Sequence, residues 1–210
     1  MRRALLVLAC AALSACSVLG SRPTPETRYY TLTVPGEPAV RLARAVKIGT
    51  FTIDQPYASE RFAYRTSPYA LEYYTYHRWA GNPRTIVAAA ARDYVERAAA
   101  PGAHPSLEMQ GHIRRLEEVD EPAAWSGAVA MDVVVTRDGT VVLERSYAEA
   151  EPAEKRNPEA VAAALSRALG RILDQVLRDV EASAQPAGPT PQAARTPART
   201  PPQPRRSEAR

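Results

Sequence analysis

The sequence contains very little cysteine and very little lysine. Its 210 residues include two cysteines, Cys10 and Cys16, both near the N-terminus. The rest of the chain therefore cannot form an internal disulfide, and its stability must come from an ordinary apolar core. The only lysines are Lys47 and Lys155. The sequence also has no glycine-rich phosphate loop and no nucleophile elbow, so none of the common catalytic signatures is present.

The net charge of +4 arises at the two ends of the chain. Of 27 basic and 23 acidic residues, two arginines lie in the first sixteen positions, and five arginines and one glutamate lie beyond residue 183. Residues 17–183 keep 20 basic and 22 acidic side chains, a net charge of −2. A near-neutral domain offers no surface that would follow a phosphate backbone, so we expect no nucleic acid partner.

The first sixteen residues have the three parts of a secretory signal. Arg2 and Arg3 provide the positive start, and a small-residue site follows the apolar stretch Ala4–Leu13. That stretch is too short to cross a bilayer, which needs about 20 apolar residues in helical form. The sequence Leu13-Ser14-Ala15-Cys16 resembles the lipobox of bacterial lipoproteins, in which the cysteine thiol takes a diacylglyceryl group. We predict a signal peptide at residues 1–15 and lipidation at Cys16; otherwise both cysteines are ordinary apolar residues of the leader.

The segments on either side of the domain have the composition of unfolded chain. Residues 16–27 contain glycine, serine and proline without apolar periodicity, which is typical of a flexible spacer. Residues 184–210 are rich in proline and arginine and nearly free of large apolar residues, which predicts a disordered tail. Ser17 stands where an Asp, by resemblance to enterobacterial lipoproteins, would signal inner-membrane retention, so we expect the outer membrane.

Residues 28–183 alternate between strand and helix patterns. Segments rich in β-branched and aromatic residues predict strands. The Ser67-Pro68 turn pairs two of them, with Phe62 opposite Tyr73 and Tyr64 opposite Leu71. The predicted strands are 28–34, 45–53, 60–66, 69–76, 107–119 and 125–136, followed by a hairpin at Asp138-Gly139.

Two Asn-Pro pairs predict the starts of two helices, because asparagine caps a helix and proline suits its first position. Asn82-Pro83 begins a helix that extends to about Ala99, and Asn157-Pro158 begins a longer one. The longer helix has a continuous apolar face from Val161 to Val180. We therefore predict an α/β (α+β) single domain, with a mixed, largely antiparallel sheet and both helices packed on it.

Few polar residues suggest a site. The three histidines, His77, His104 and His112, have no metal-binding spacing, so we predict no metal and no cofactor. Glu117 and Glu118 are adjacent on a strand and should face opposite sides, which favours a solvated charge run over catalytic carboxylates.

An aromatic segment near the middle of the chain is the most distinctive feature. Its tyrosines and tryptophan suit either a core or a binding surface. We take Tyr74, Tyr76 and Trp79 as candidate partner-binding residues, with core packing as the alternative for each.

Four groups of residues together resemble the ABC-type transport auxiliary lipoproteins, over roughly Arg28 to Ala182. They are Tyr29-Tyr30-Thr31-Leu32 shortly after the cysteine, the strand from Val46 to Ile53, the run from Arg61 to Arg65, and the run from Tyr73 to Ala80.

The resemblance implies a non-catalytic periplasmic lipoprotein working beside an ABC permease, its ATPase and an MCE-domain substrate-binding protein, in the transport of lipid between the two membranes. Some relatives form rings, so it also allows a homo-oligomer. The residues alone leave two other readings open: a structural envelope lipoprotein, and a hydrolase whose acidic side chains meet only in the fold.

Replacing Cys16 by serine should abolish lipid attachment, because the thiol is the group that takes the lipid. Metabolic labelling with radioactive palmitate checks this expectation. Label that persists in Cys16→Ser would rule out this residue as the anchor.

Overall fold

The structure, a computed structural model, describes residues 25–184. The predicted signal peptide, Cys16 and the tail beyond residue 184 lie outside the described residues. The elements in chain order are seven strands, one 3₁₀ turn and two helices. They are β1 (Arg28–Tyr30), β2 (Ala45–Ile53), the 3₁₀ turn (Gln55–Tyr57), β3 (Arg61–Ser67), β4 (Ala70–Trp79), α1 (Pro83–Ala98), β5 (Pro105–Asp120), β6 (Trp125–Arg137), β7 (Thr140–Pro152) and α2 (Pro158–Ala184).

The strands form one mixed sheet in the order β1-β4-β3-β5-β6-β7, which confirms the predicted fold class. β2 and β3 follow one another along the same edge of β5, and both are parallel to it. The β3–β4, β5–β6 and β6–β7 pairs are antiparallel. Strand β5 therefore runs the length of the sheet and joins its two halves.

Both helices begin where the Asn-Pro pairs predicted. The side chain of Asn82 accepts a hydrogen bond from the Arg84 amide, and that of Asn157 accepts one from the Ala160 amide. α1 packs on β2, and α2 packs on β6 and β7. The predicted apolar face of α2 is buried from Val161 to Val180. Because both helices lie on one face of the sheet, the other face is open.

The first strand is shorter than predicted. Only Arg28–Tyr30 pair with β4. The chain then leaves the sheet towards α2, where the amide of Thr33 donates to the hydroxyl of Ser166. Leu32 and Val34 are buried there. Their apolar character correctly predicted burial, but they pack towards a helix instead of pairing with a strand.

The register of the β3–β4 hairpin differs by one residue from the prediction. Ala63 lies opposite Tyr73 and Tyr64 lies opposite Glu72, because the strand is irregular between Arg65 and Ser67, next to the two-residue turn Pro68-Tyr69. A shift of one residue pairs each residue with the neighbour of its predicted partner, and the side chain of that neighbour lies on the opposite face of the sheet. The predicted pairings of Phe62 with Tyr73 and of Tyr64 with Leu71 are therefore wrong.

The two ends of the sheet carry different turns. Arg65 lies opposite Val119 near the last residues of β5, so the Pro68-Tyr69 turn is at that end, which we call the hairpin end. Leu107 lies opposite Arg137 at the other end. There Asp138 and Gly139 both have positive φ, as the predicted tight turn requires. Successive strand residues advance about 3.3 Å, so the ends are about 40 Å apart.

Gly127 on β6 allows α2 to approach the sheet closely. A Cβ atom at this position would lie 2.6 Å from the backbone nitrogen of Leu165. We expect Gly127→Ala to destabilise the domain by about 1–3 kcal/mol, because a well-packed interface must shift to admit the methyl group. Urea unfolding measures the loss. Gly81→Ala is the matched control, since its Cβ would meet nothing within 4 Å, and equal stability of the two variants would contradict this account.

Candidate functional site

The three candidate aromatic residues of β4 have different environments. Trp79 is 2% exposed, and its ring stacks on Phe62 at 4.6 Å between centroids. Trp79 faces the helices as part of the core. The prediction that it contacts a partner is therefore wrong, and the alternative of core packing holds for this residue. Tyr76 is 39% exposed. Tyr74 is partly buried, and its hydroxyl donates to Oε1 of Glu118 at 3.0 Å.

Tyr76 lies on a part of β4 whose outer edge is free among the described residues. Only Arg28–Tyr30 pair with that edge, and they reach His77, Arg78 and Trp79. The segment Ala70–Tyr76 therefore has no strand partner on this edge among the described residues, although the carbonyls of Tyr73 and Tyr74 accept hydrogen bonds from Arg61. Its remaining backbone groups can pair with a further strand or another chain. We call this segment the free β4 edge.

Glu117 and Glu118 face opposite sides of β5, as predicted, but neither is solvated. Both are fully buried. The prediction of a solvated charge run is wrong because each side chain lies beneath residues from the β3–β4 hairpin or the 3₁₀ turn. Adjacent glutamates in a strand do not reveal such partners, which are distant in sequence.

Glu117 forms the more tightly bonded of the two clusters. Its carboxylate accepts hydrogen bonds from the Tyr57 hydroxyl at 2.7 Å, from Arg65 Nε and Nη2 at 2.8 and 3.1 Å, and from Arg115 Nε at 2.6 Å. Burial alone would raise the pKa of Glu117, but the bonds from Arg65 and Tyr57 and the charge of Arg115 outweigh it and lower the pKa. This glutamate is a buried anion held by two arginines.

Glu118 has the opposite character. Burial raises its pKa to about 7, against the lowering effect of the Tyr74 hydrogen bond, and the nearby charge of Asp120 adds to the rise. Its Oε2 atom has no partner among the described residues. The pKa of Tyr74 is also raised, first by burial and then by the charge of Glu118. The pair therefore favours a neutral carboxylic acid under a tyrosine.

The β3–β4 turn is attached to the Glu117 cluster. Arg65 also donates from Nη1 to the carbonyl of Pro68 at 3.1 Å, and Ser67 accepts from the Tyr69 amide at 3.3 Å. The ring of Tyr69 at the tip is nevertheless 97% exposed. The backbone of the turn is held in place while its aromatic side chain points into solvent.

Two of the histidines take part in hydrogen bonds. His77 Nδ1 pairs with the Tyr30 hydroxyl at 2.8 Å, and burial, with the charge of Arg28, lowers its pKa. His112 lies between Thr52 and Asp54 on the open face, at 2.7 and 2.9 Å.

The arrangement around His112 has the order of hydroxyl, imidazole and carboxylate found in nucleophilic catalysis, but these side chains are largely in water, which competes for their hydrogen bonds. It links β2 to β5 across the surface. Within residues 25–184, no group of three or more His, Cys, Asp or Glu side chains could hold a metal ion.

The fold and these side chains define a class of protein, namely a single mixed α/β domain whose buried charged groups join its strands together. Residues 30–177 match the model of the ABC-type transport auxiliary lipoprotein component family. This match covers more than half of the chain, and the protein belongs to that family. No helix in the described range is both long and apolar enough to cross a membrane.

Two crystal structures share the fold over nearly their whole length. Protein XCC0632 from Xanthomonas campestris has a TM-score of 0.62 and 19% identity, covering 76% of this chain and 99% of the other. An uncharacterized protein has a TM-score of 0.59 and 10% identity, with coverage of 74% and 99%. At such identities the likeness shows the fold alone. No curated protein matches the chain at a significant level.

Replacing Glu118 by glutamine should remove a pH-dependent part of the stability. The pKa of Glu118 is about 7 when folded and 4.5 in its ordinary state, so between these values the folded chain holds a proton that the unfolded chain has lost. Raising the pH through this window then lowers the free energy of unfolding, by at most about 1.4 kcal/mol per pH unit.

Urea unfolding of both proteins at several pH values gives the difference that isolates this carboxyl, because the other groups titrate in both. We expect the stability of the wild type relative to Glu118→Gln to fall from about pH 4.5 to pH 7. A difference that stays flat across this range would show that Glu118 is ionised in the folded protein.

Proposed function

We propose that this protein is the lipid-anchored accessory component of an ABC transport system of the MCE type, and that it docks on the system's MCE-domain protein during lipid transport across the periplasm. The family match carries the proposal. Transport energy would come from the ATPase and its permease, while this chain contributes a binding surface and no catalysis. Residues 1–15 would be the signal peptide, 16–27 the lipidated spacer, 28–183 the domain and 184–210 the tail.

The lipobox-like sequence ending at Cys16 supports anchoring by lipid, and Ser17 supports the outer membrane. Each buried methylene contributes about 0.8 kcal/mol, so several acyl chains make the anchor stable. The domain then faces the periplasm, where a component embedded in the inner membrane can be reached only through an elongated partner.

The docking surface that the contacts favour is the free β4 edge together with Tyr76. An exposed tyrosine offers a large rigid contact area with a polar tip, which is typical of interface anchors. The unpaired backbone beside it offers hydrogen bonds that do not depend on side chains. The same edge could pair with a second copy of this chain, and this surface would then form a homo-oligomer.

Replacing Tyr76 by alanine should weaken retention of the MCE partner by about 1–2 kcal/mol while leaving the melting curve unchanged, because the side chain contributes to binding and little to the core. Copurification in detergent and thermal melts provide the two measurements. Trp79→Ala should behave differently, with a loss of about 3–5 kcal/mol of stability.

Tyr69→Ala is the matched control, since this tyrosine lies on the same hairpin and is even more exposed. It should retain the partner normally in detergent. Normal retention by Tyr76→Ala would contradict the proposed surface, and absence of any MCE partner from the wild-type preparation would favour a structural envelope role.

A further inference from the structure

Tyr69 is the most exposed large apolar side chain of the described residues, and nothing in the domain accounts for it. It lies at the tip of the β3–β4 hairpin, in a turn that Arg65 holds through the Pro68 carbonyl. Arg65 is itself fixed by the buried Glu117. An aromatic ring on a rigidly held turn is presented outward at low entropic cost, which suits contact with another surface.

The direction of the chain identifies that surface. β1 is parallel to β4, with Arg28 opposite His77. The residues before Arg28 therefore approach it from the side of Ala70, which is the hairpin end. Residues 25–27, through which the domain is connected to Cys16, thus enter β1 from the same side as the Tyr69 tip.

The length of this connection places the tip at the membrane. Strand β4 is irregular between Tyr73 and Arg78, so the distance is counted along β3, where Arg61 lies opposite Arg78. The six residue steps from Arg61 to Ser67 place the turn about 20 Å from the level of Arg28. The twelve residues from Cys16 to Arg28 can extend to about 40 Å. The tip therefore meets the bilayer before the connection is fully stretched.

We propose that the Tyr69 tip rests in the headgroup layer of the membrane that carries the lipid anchor. Tyrosine prefers this layer because its ring is apolar and its hydroxyl is polar. One side chain binds a bilayer weakly, but attachment through Cys16 keeps the tip close to the surface and makes a weak contact sufficient. The proposal rests on lipidation at Cys16, as proposed above.

The charged residues around the tip do not favour electrostatic binding to anionic lipid. A cavity of about 280 Å³ beneath the turn is lined by Arg65 and Arg115 and by Asp120 and Glu121. The charges of these four side chains balance, so attraction to anionic headgroups is not the basis of the contact. The tyrosine ring is the feature that a bilayer recognises.

Single cysteines introduced at two positions test the proposal on the full processed lipoprotein. The lipid occupies the Cys16 thiol and Cys10 leaves with the signal peptide, so an introduced thiol is unique. Pro68→Cys, which is exposed and keeps Tyr69 beside the label, and Val141→Cys are labelled with the same environment-sensitive fluorophore. Val141 is the matched control, because it is 53% exposed and lies beside the turn at the opposite end of the sheet.

Both proteins are reconstituted in phosphatidylcholine vesicles with and without spin-labelled lipid. We expect the label at position 68 to shift to shorter wavelength and to lose most of its emission with the spin-labelled lipid, and the label at 141 to keep its emission. Adding Tyr69→Ala to the Pro68→Cys variant should remove most of the quenching at position 68, and undiminished quenching would overturn the assignment to the ring. Equal quenching at both positions, quenching only at 141, or quenching at neither would overturn the proposal.

Flotation of the same vesicles separates this result from a failure of the anchor. Protein that does not float with the vesicles would overturn lipidation at Cys16, and the tip contact with it. Protein that floats while the label at position 68 stays unquenched would overturn the tip contact alone and leave the anchor intact. Repeating the measurement with part of the phosphatidylcholine replaced by phosphatidylglycerol should leave the quenching unchanged, and quenching that requires the anionic lipid would overturn the assignment to the ring.

Discussion

The attachment of the β3–β4 hairpin to β5 is the constraint on which the rest of the sheet depends. Only two register pairs join β3 to β5, Tyr64 with Glu118 and Arg65 with Val119. Strands β4 and β1 are connected to the sheet through β3. The two adjacent glutamates of β5 reinforce this joint, one on each face of the sheet. Breaking a buried ion pair such as Arg65–Glu117 costs about 3–5 kcal/mol, which is a large part of the stability of a domain this size.

The same joint shows how environment divides the roles of two identical side chains. Glu117 meets two arginines and has a lowered pKa, whereas Glu118 meets tyrosines and a nearby acid and has a raised one. Below about pH 7 Glu118 is mostly neutral, and a neutral carboxyl group can be buried with one unpaired oxygen at a lower cost than an anion. The neighbouring side chains on each face therefore determine the protonation state of its glutamate, which is ionised for Glu117 and protonated for Glu118 below about pH 7.

Local patterns predicted the helices well and the long-range contacts poorly. Asn82, Asn157 and the apolar face of α2 act within a few residues, so their signals are readable from the chain. The bonds from Glu117 to Arg65 and Tyr57 connect residues more than fifty positions apart, and no periodicity reports them. The prediction of the hairpin register was wrong for a related reason, because one irregular residue near the turn changes the partner of every residue that follows it along the strand.

Candidate site residues were harder to predict than the fold, because the exposure of a side chain depends on which elements pack over it. Trp79 and Tyr76 are three residues apart on one strand, yet one is in the core and the other is in solvent. Alternation would place them on opposite faces, and the described helices cover only one face of the sheet, so an aromatic strand can contain both kinds of residue. The aromatic segment was informative as a whole, and the choice between binding and packing within it required the positions of the helices.

The positions at which the described domain begins and ends follow from the topology. α2 ends at Ala184, and Val180 and Glu181 line a cavity with Leu42 and Leu107 at the end of the sheet opposite the hairpin. Residues 25–27 enter the sheet from the hairpin side, whereas α2 ends at the other side. With the hairpin end on a membrane, as proposed above, α2 would end on the side of the domain that faces away from that membrane, and Tyr76 would lie beyond the tip along β4.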